Sequence, residues 1–358
     1  MCTRNHRHSI FCIVPPHIMR SIVANGSKSQ KAAAAQTLAT DSTFRAMRAA
    51  TMVGVPREVR RRRMTGLTAS NQRTIFSAGK HQTLPGVVVR AEGSKPTGDP
   101  AVDEAYDGLG KTFDFFLKEF KRNSIDDEGL ALNATVHYGD HYNNAFWNGQ
   151  RMVFGDGDGD LFNRFTISLD VIGHELAHGV TEDETGLVYM MQPGALNEHL
   201  SDVWGSLIKQ WSKKETAEEA DWLIGAGLLA PGVHGTALRS MKAPGTAFDD
   251  PILGKDLQPG HMSKFVDTMQ DNGGVHINSG IPNRAFYLAA AAIGGEAWKK
   301  VGRVWYAAVR DERIREDTKF ADFAAVTIDI ANHMSGLKKA EAKAVADAWA
   351  EVGLVATS

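Results

Sequence analysis

The run Val171-Ile-Gly-His174-Glu175-Leu-Ala-His178-Gly-Val180 sets two imidazoles and a carboxylate inside an otherwise apolar, helix-length segment. Burying such groups without partners costs about 2–7 kcal/mol each, so the segment implies something that holds them. On a helix, positions i and i+4 share a face, so His174 and His178 point at a common atom. Neutral imidazole nitrogens bind zinc at about 2.0–2.1 Å, and a catalytic zinc takes three protein ligands while keeping one position for water. Glu175 follows the first ligand and stands beside the metal, as a base and not a ligand. With 13 histidines in the chain, a chance His-Glu-x-x-His arises on the order of a few hundredths of a time. The alternative is a pair of core histidines satisfied by backbone, and the third ligand decides between them. Downstream, Gly194-Ala-Leu-Asn197-Glu198-His-Leu-Ser-Asp202 opens a second apolar-periodic helix through Leu200, Val203, Trp204 and Leu207. Folded back on the first helix, it supplies Glu198 and completes a His₂Glu site. Asp202, one turn on, is placed to accept the remaining N–H of one ligand imidazole, and Asn197 that of the other.

The elements that must position these groups fall into two grammars. From about Thr74 to Phe165, short segments rich in β-branched and aromatic residues read as strands: Arg73–Phe76, Gly86–Arg90, Ala134–Tyr138, Arg151–Phe154 and Phe165–Leu169. One helix, Asp99 to Phe120, interrupts them. After Asp170 the pattern turns helical, including Arg284–Ile293, Ala297–Val309 and Lys338–Val352. At 358 residues the chain exceeds what one core supports, so two domains plus a short appendage are expected. A net charge of −2 gives no global field for nucleic acid or an anionic membrane, and no apolar run approaches the ~20 residues that span a bilayer. Both cysteines, Cys2 and Cys12, lie at the extreme N-terminus, so metal chemistry in the body rests on His and carboxylate. The basic run Pro56–Arg63 reads as an exposed linker where proteases cut.

Six segments in order, Asn143–Gly149, Met152–Gly159, His174–His178, Asn197-Glu198 with Ser201-Asp202, Ala237–Ser240 and Asp271–Gly280, resemble the thermolysin-like zinc metalloproteases from about Arg73 to the C-terminus. Ile13-Val-Pro15-Pro16-His-Ile-Met19 further resembles the short propeptide of the protealysin-like branch. The resemblance implies an α+β fold: a propeptide over 1–53, a β-rich domain over 54–185 that includes the HExxH helix, and an all-α domain over 186–358, with the zinc cleft between the two domains. It implies a neutral endopeptidase made as a zymogen, in which Glu175 takes a proton from zinc-activated water. Tyr189 and His276 would stabilise the oxyanion, and Asp271 would orient His276. Asn144 and the Ala145 backbone would pair with substrate as an added strand, with Arg239 on a primed-side carbonyl. Phe162, Val171, Ile224 and Leu238 would line a hydrophobic primed pocket.

Calcium is doubtful. Asp156–Asp160 begins like a calcium loop, but its twelfth position is Ile167, not Glu, so it reads as turn chemistry. Where the family draws calcium-binding carboxylates, this chain has Lys209, Leu223 and Ala226, keeping Asp170 and Asp221; at a second site Ala91 and Gly93 replace acids. The propeptide is expected to act as an intramolecular inhibitor through Cys12, Pro15 and Pro16. The Cys12 thiolate either sits near the fourth zinc position or packs as a small hydrophobe. The expected partners are protein or peptide substrates and this propeptide, with no nucleic acid and no membrane. The family resemblance implies secretion, whereas no signal peptide is visible, which favours cytoplasmic synthesis. Two other functions compete: a catalytically silent zinc-binding scaffold, which intact Glu175, Tyr189 and His276 disfavour, and a hydrolase of small non-peptide substrates, which the strand-adding Asn143-Asn144-Ala145 edge disfavours.

Overall fold

The computed structural model describes residues 11–52 and 70–354; the basic connector at 56–63 lies outside the described residues. Among the described residues six strands form one sheet in the order β1-β5-β6-β4-β2-β3: β1 (Phe11–Cys12), β2 (Arg73–Ser77), β3 (Val87–Ala91), β4 (Leu132–Val136), β5 (Ala145–Trp147) and β6 (Met152–Phe154). β4 runs parallel to both β2 and β6, and the other pairs are antiparallel. The sheet therefore ends at β1, a strand from the N-terminal segment laid on β5. The rest of that segment is helical: α1 (Pro16–Asn25), which opens on Pro16 where the missing N–H costs nothing, and α2 (Lys28–Met52).

Behind the sheet runs α3 (Pro100–Phe120), capped by Asp99, whose carboxylate accepts the Ala101 N–H at 2.9 Å. Its buried Phe113, Phe115 and Phe116 tie the sheet to the helical half. That half comprises α4 (Leu169–Glu184), α5 (Met191–Lys213), α6 (Asp271–Asn278), α7 (Gly280–Ile293), α8 (Val301–Val309), α9 (Phe320–His333) and α10 (Lys339–Glu351). It is mostly, not wholly, α: β7 (Leu223–Ile224) pairs with β8 (Arg239–Ser240), and β9 (Asp249–Asp250) with β10 (Gly254–Lys255). One expected strand is absent: Phe165–Ile167 is a 3₁₀ turn leading into α4. Glu104 of α3 explains this, since it accepts the Thr166 hydroxyl at 2.8 Å and pairs with Arg164, and the Ser168 carbonyl already accepts the Val171 and Ile172 N–H groups. The β-branched residues that suggest a strand are here folded under a helix N-terminus.

Candidate metal centre

α4 and α5 approach backbone to backbone. A Cβ on Gly205 would fall 2.3 Å from the Asp170 carbonyl, and one on Gly173 would fall 3.2 Å from the Gly205 Cα. Only glycine permits this contact, and it brings Glu198, two turns before Gly205, against the histidine face of α4. His174 Nε2 lies 3.1 Å from His178 Nε2, 3.5 Å from Glu198 Oε2, and His178 Nε2 lies 3.6 Å from Glu198 Oε1. All three residues are fully buried. Among the described residues they form the one cluster of His, Cys, Asp and Glu ligand atoms that converges within 4.8 Å.

The donor chemistry fits a metal. His174 Nδ1 faces Asp202 Oδ1 at 2.8 Å, and His178 Nδ1 faces Asn197 Oδ1 at 2.7 Å with Ser201 Oγ at 3.0 Å. Carboxylate and amide oxygens accept, so each Nδ1 carries the proton and each Nε2 presents a lone pair. Two lone pairs thus meet a carboxylate whose Oε2 has no hydrogen-bond partner. That arrangement is unfavourable until a cation sits between them, and the donor set is that of zinc. Burial works against the Asp202 carboxylate, but Arg239 and His174 outweigh it and hold Asp202 well below the usual carboxylate range.

Around the ligands stand the expected reactive groups. Glu175 is fully buried on α4, and its Oε2 accepts the Trp147 N–H of β5 at 3.0 Å. Tyr189 hydrogen-bonds Glu198 through its hydroxyl, which lies 3.2 Å from His276 Nε2. Four consecutive left-handed residues, Asp271–Gly274, with φ from 52° to 86°, fold the chain back before His276; glycine supplies the last two without a Cβ penalty. Asp271 then accepts both the His276 N–H at 2.9 Å and its Nδ1–H at 2.7 Å. Burial opposes charge on His276, but Asp271 and Glu198 prevail and raise its pKa above the ordinary histidine value.

The N-terminal segment lies against these groups. β1 pairs antiparallel with β5, Cys12 opposite Phe146. The Ile13 N–H donates to the Ala145 carbonyl at 3.2 Å and the Val14 N–H to Asn144 Oδ1 at 3.0 Å. Arg239 Nη1 donates to the Ile13 carbonyl at 3.0 Å, and His276 Nε2 to the Cys12 carbonyl at 3.0 Å. Asn144, Ala145, Arg239 and His276, all expected to meet substrate, therefore hold this segment. Pro15 caps α1, which Pro16 opens. The Cys12 side chain is buried with Tyr138, Tyr142 and Phe146, and the converging ligand cluster does not include it. Ile13 and Val14 belong to the same apolar core as Phe162, Val171, Ile224 and Leu238. No sequence signal marks Asp41 of α2, whose carboxylate accepts Asn144 Nδ2 at 2.8 Å and the Tyr142 hydroxyl at 2.7 Å. Arg239, expected only on a substrate carbonyl, also pairs with Asp202 through two nitrogens at 2.9 Å.

Two family models match the chain: "Thermolysin metallopeptidase, catalytic domain" over residues 29–182 and "Thermolysin metallopeptidase, alpha-helical domain" over residues 185–354. An extracellular metalloprotease of Pectobacterium carotovorum subsp. carotovorum is 53% identical over 346 residues, 96% of each chain. Protease PrtS of a Photorhabdus species is 45% identical over 96% of this chain and 91% of its own. The solved precursor of protealysin, a metalloproteinase from Serratia proteamaculans, superposes with a TM-score of 0.87 at 52% identity, over 96% of this chain and 100% of that one. With the His174, His178 and Glu198 triad poised for a single zinc ion, these matches make the protein a zinc-dependent metalloendopeptidase and not a silent scaffold. The buried His₂Glu cluster on two glycine-apposed helices and the agreement along nearly the whole chain lead to one conclusion: the chain belongs to the thermolysin family of metallopeptidases, in its protealysin-like branch.

Proposed function

We propose that the protein is a neutral endopeptidase held latent by its own N-terminal segment, with residues 1–53 as the latency segment, 54–185 as the β-rich catalytic domain and 186–358 as the helical one. When bound, zinc supplies Lewis acidity and lowers the pKa of a water it holds toward about 7. The chain's residues do the rest. Glu175, oriented by the Trp147 N–H, takes the proton of the attacking water. His276 has an acceptor at each ring nitrogen, Asp271 and the Cys12 carbonyl, so both nitrogens donate, and with Tyr189 it is suited to hold a developing oxyanion. A substrate adds as a strand on β5 and bonds Asn144, Ala145 and Arg239; its first primed side chain enters the apolar surface of Phe162, Val171, Ile224 and Leu238.

The observation that carries latency is the four-bond grip on Cys12, Ile13 and Val14 by Ala145, Asn144, Arg239 and His276. A backbone that uses the substrate's own partners excludes substrate without any need for the Cys12 sulfur at the metal. The test compares casein hydrolysis by the full-length chain and by a chain freed of residues 1–53. The freed chain is active and the full-length chain silent; equal activity of the two overturns the reading. The name of the Pectobacterium relative, extracellular metalloprotease, supports export, and no helix among the described residues is long and apolar enough to cross a membrane.

The grip is pH-dependent. His17 on α1 has a buried Nδ1 without a hydrogen-bond partner. Burial lowers its pKa from 6.5 to about 4; Asp271 opposes that shift, while His276, Arg20 and Arg239 add to it. The docked segment therefore binds fewer protons than the released one between those values. Docking is at full strength above pH 6.5 and weakens as pH falls toward 4. Amide protection factors of residues 12–25 in the full-length Glu175→Gln protein, corrected for the intrinsic exchange rate at each pH, fall as pH drops through this window and stay flat in a His17→Leu background; identical profiles in the two would contradict it.

No calcium is needed at the position facing α5. The Lys209 ammonium lies 2.7 Å from Asp170 Oδ2, 2.7 Å from Asp221 Oδ1 and 2.6 Å from the Leu223 carbonyl. Burial opposes its charge, but Asp170 and Asp221 outweigh burial and raise its pKa. A built-in cation thus serves the carboxylates. Lys209→Met leaves Asp170 buried and unpaired and lowers the unfolding free energy by about 3–5 kcal/mol, while a calcium-selective chelator leaves the parent's melting temperature unchanged. A chelator-induced drop would refute this.

A further inference from the structure

We infer that Trp305, His199 and Asn283 form a one-way hydrogen-bond chain that orients Asp202, the carboxylate that receives the Nδ1–H of the zinc ligand His174, which makes all three positioning residues for the metal. The direction follows from donor chemistry. An indole N–H can only donate, and Trp305 Nε1 on α8 lies 2.8 Å from His199 Nε2 on α5. His199 Nε2 is thus the acceptor, and its Nδ1–H donates to Asn283 Oδ1 on α7 at 2.8 Å. With the amide oxygen committed, Asn283 Nδ2 donates to Asp202 Oδ2 at 2.8 Å, and Asp202 Oδ1 receives the His174 Nδ1–H at 2.8 Å. All five side chains are fully buried, so water does not substitute for a missing link.

Arg239 also donates to both Asp202 oxygens, yet it is shared with the Ile13 carbonyl of the docked segment. Asn283 is the donor whose amide is not shared with that segment. Without the indole N–H, His199 is free to adopt its other tautomer. Asn283 can then turn its oxygen toward the Asp202 carboxylate, and the repulsion moves the group that orients His174. Partners of this outer kind are worth about 10–100-fold in metal affinity.

The inference rests on the zinc reading, and the experiment separates the two. Zinc dissociation constants, by chelator competition, and the visible absorption of the cobalt(II)-substituted protein are measured on the full-length chain and its variants. Asn283→Leu and His199→Leu weaken zinc about tenfold and shift the cobalt bands; Trp305→Phe, which removes the N–H together with part of the ring, moves both the same way by a smaller factor. His199→Gln keeps an acceptor for Trp305 and a donor for Asn283, and restores both readouts. Phe323→Leu is the packing control: its ring centroid lies 6.1 Å from those of both His199 and Trp305, and it lowers the melting temperature with no change in zinc affinity or cobalt spectrum. If Trp305→Phe and His199→Leu fold and lose only thermal stability, with affinity and spectrum unmoved, the chain is core packing and the inference is overturned. A parent that binds no zinc overturns the zinc reading along with it.

Discussion

Glu175→Gln removes peptide hydrolysis by a factor of about 10²–10⁴ while leaving zinc bound. The substitution preserves shape and keeps an oxygen for the Trp147 N–H, whose bond to Glu175 Oε2 is 3.0 Å, but an amide takes up no proton at neutral pH. The three metal ligands are untouched, because Glu175 is not among His174, His178 and Glu198. Casein or quenched-peptide hydrolysis by the processed variant, run beside metal analysis, reads both quantities on one sample. Lost activity with lost zinc would mean that Glu175 supports the site and is not its base; retained activity would assign the proton transfer elsewhere.

His276→Ala costs about 10²–10³ in kcat with a much smaller change in KM, and Tyr189→Phe acts in the same direction. The asymmetry follows from the proposed role, in which both donors serve a charge that exists only in the transition state. The Cys12 carbonyl accepts from His276 Nε2 at 3.0 Å, and on the proposed reading it stands where a substrate oxygen would be held. Asp271 is the check on orientation: it binds the His276 Nδ1 at 2.7 Å, so Asp271→Asn reduces kcat through His276 without altering zinc content. An equal rise in KM for these variants, with kcat preserved, would reassign His276 and Tyr189 to substrate binding.

Much of the site was legible because its chemistry is local. The spacing of His174 and His178 is set by one helical turn, and Asp202 and Asn197 sit on the same helix as Glu198, so helix periodicity alone groups them. The family resemblance added Tyr189, His276, Asp271, Asn144, Ala145 and Arg239, which no periodicity connects. What stayed hidden depends on which faces meet across the fold. Asn283 and Trp305 lie on α7 and α8 and reach Asp202 only through His199; in the sequence each is an ordinary polar or aromatic position on an amphipathic helix. Asp41 sits in an Ala-rich polar helix with no signal that it reaches Asn144. The Phe165–Leu169 segment was misread for a related reason: its β-branched pattern is real, but the side-chain bonds to Glu104 that bend it come from α3. Gly173 and Gly205 offered a clue that composition does not convey, since two helices can be glycine-apposed only if their backbones meet.

The most direct measurement is zinc-edge X-ray absorption on the full-length chain, with metal stoichiometry determined on the same preparation. One zinc per chain is expected, with nitrogen and oxygen neighbours at about 2.0–2.2 Å, two of them imidazole, and loss of the ion in Glu198→Ala. A sulfur neighbour at about 2.3 Å would place the Cys12 thiolate on the metal, and a chain that binds no zinc would refute the metal centre itself.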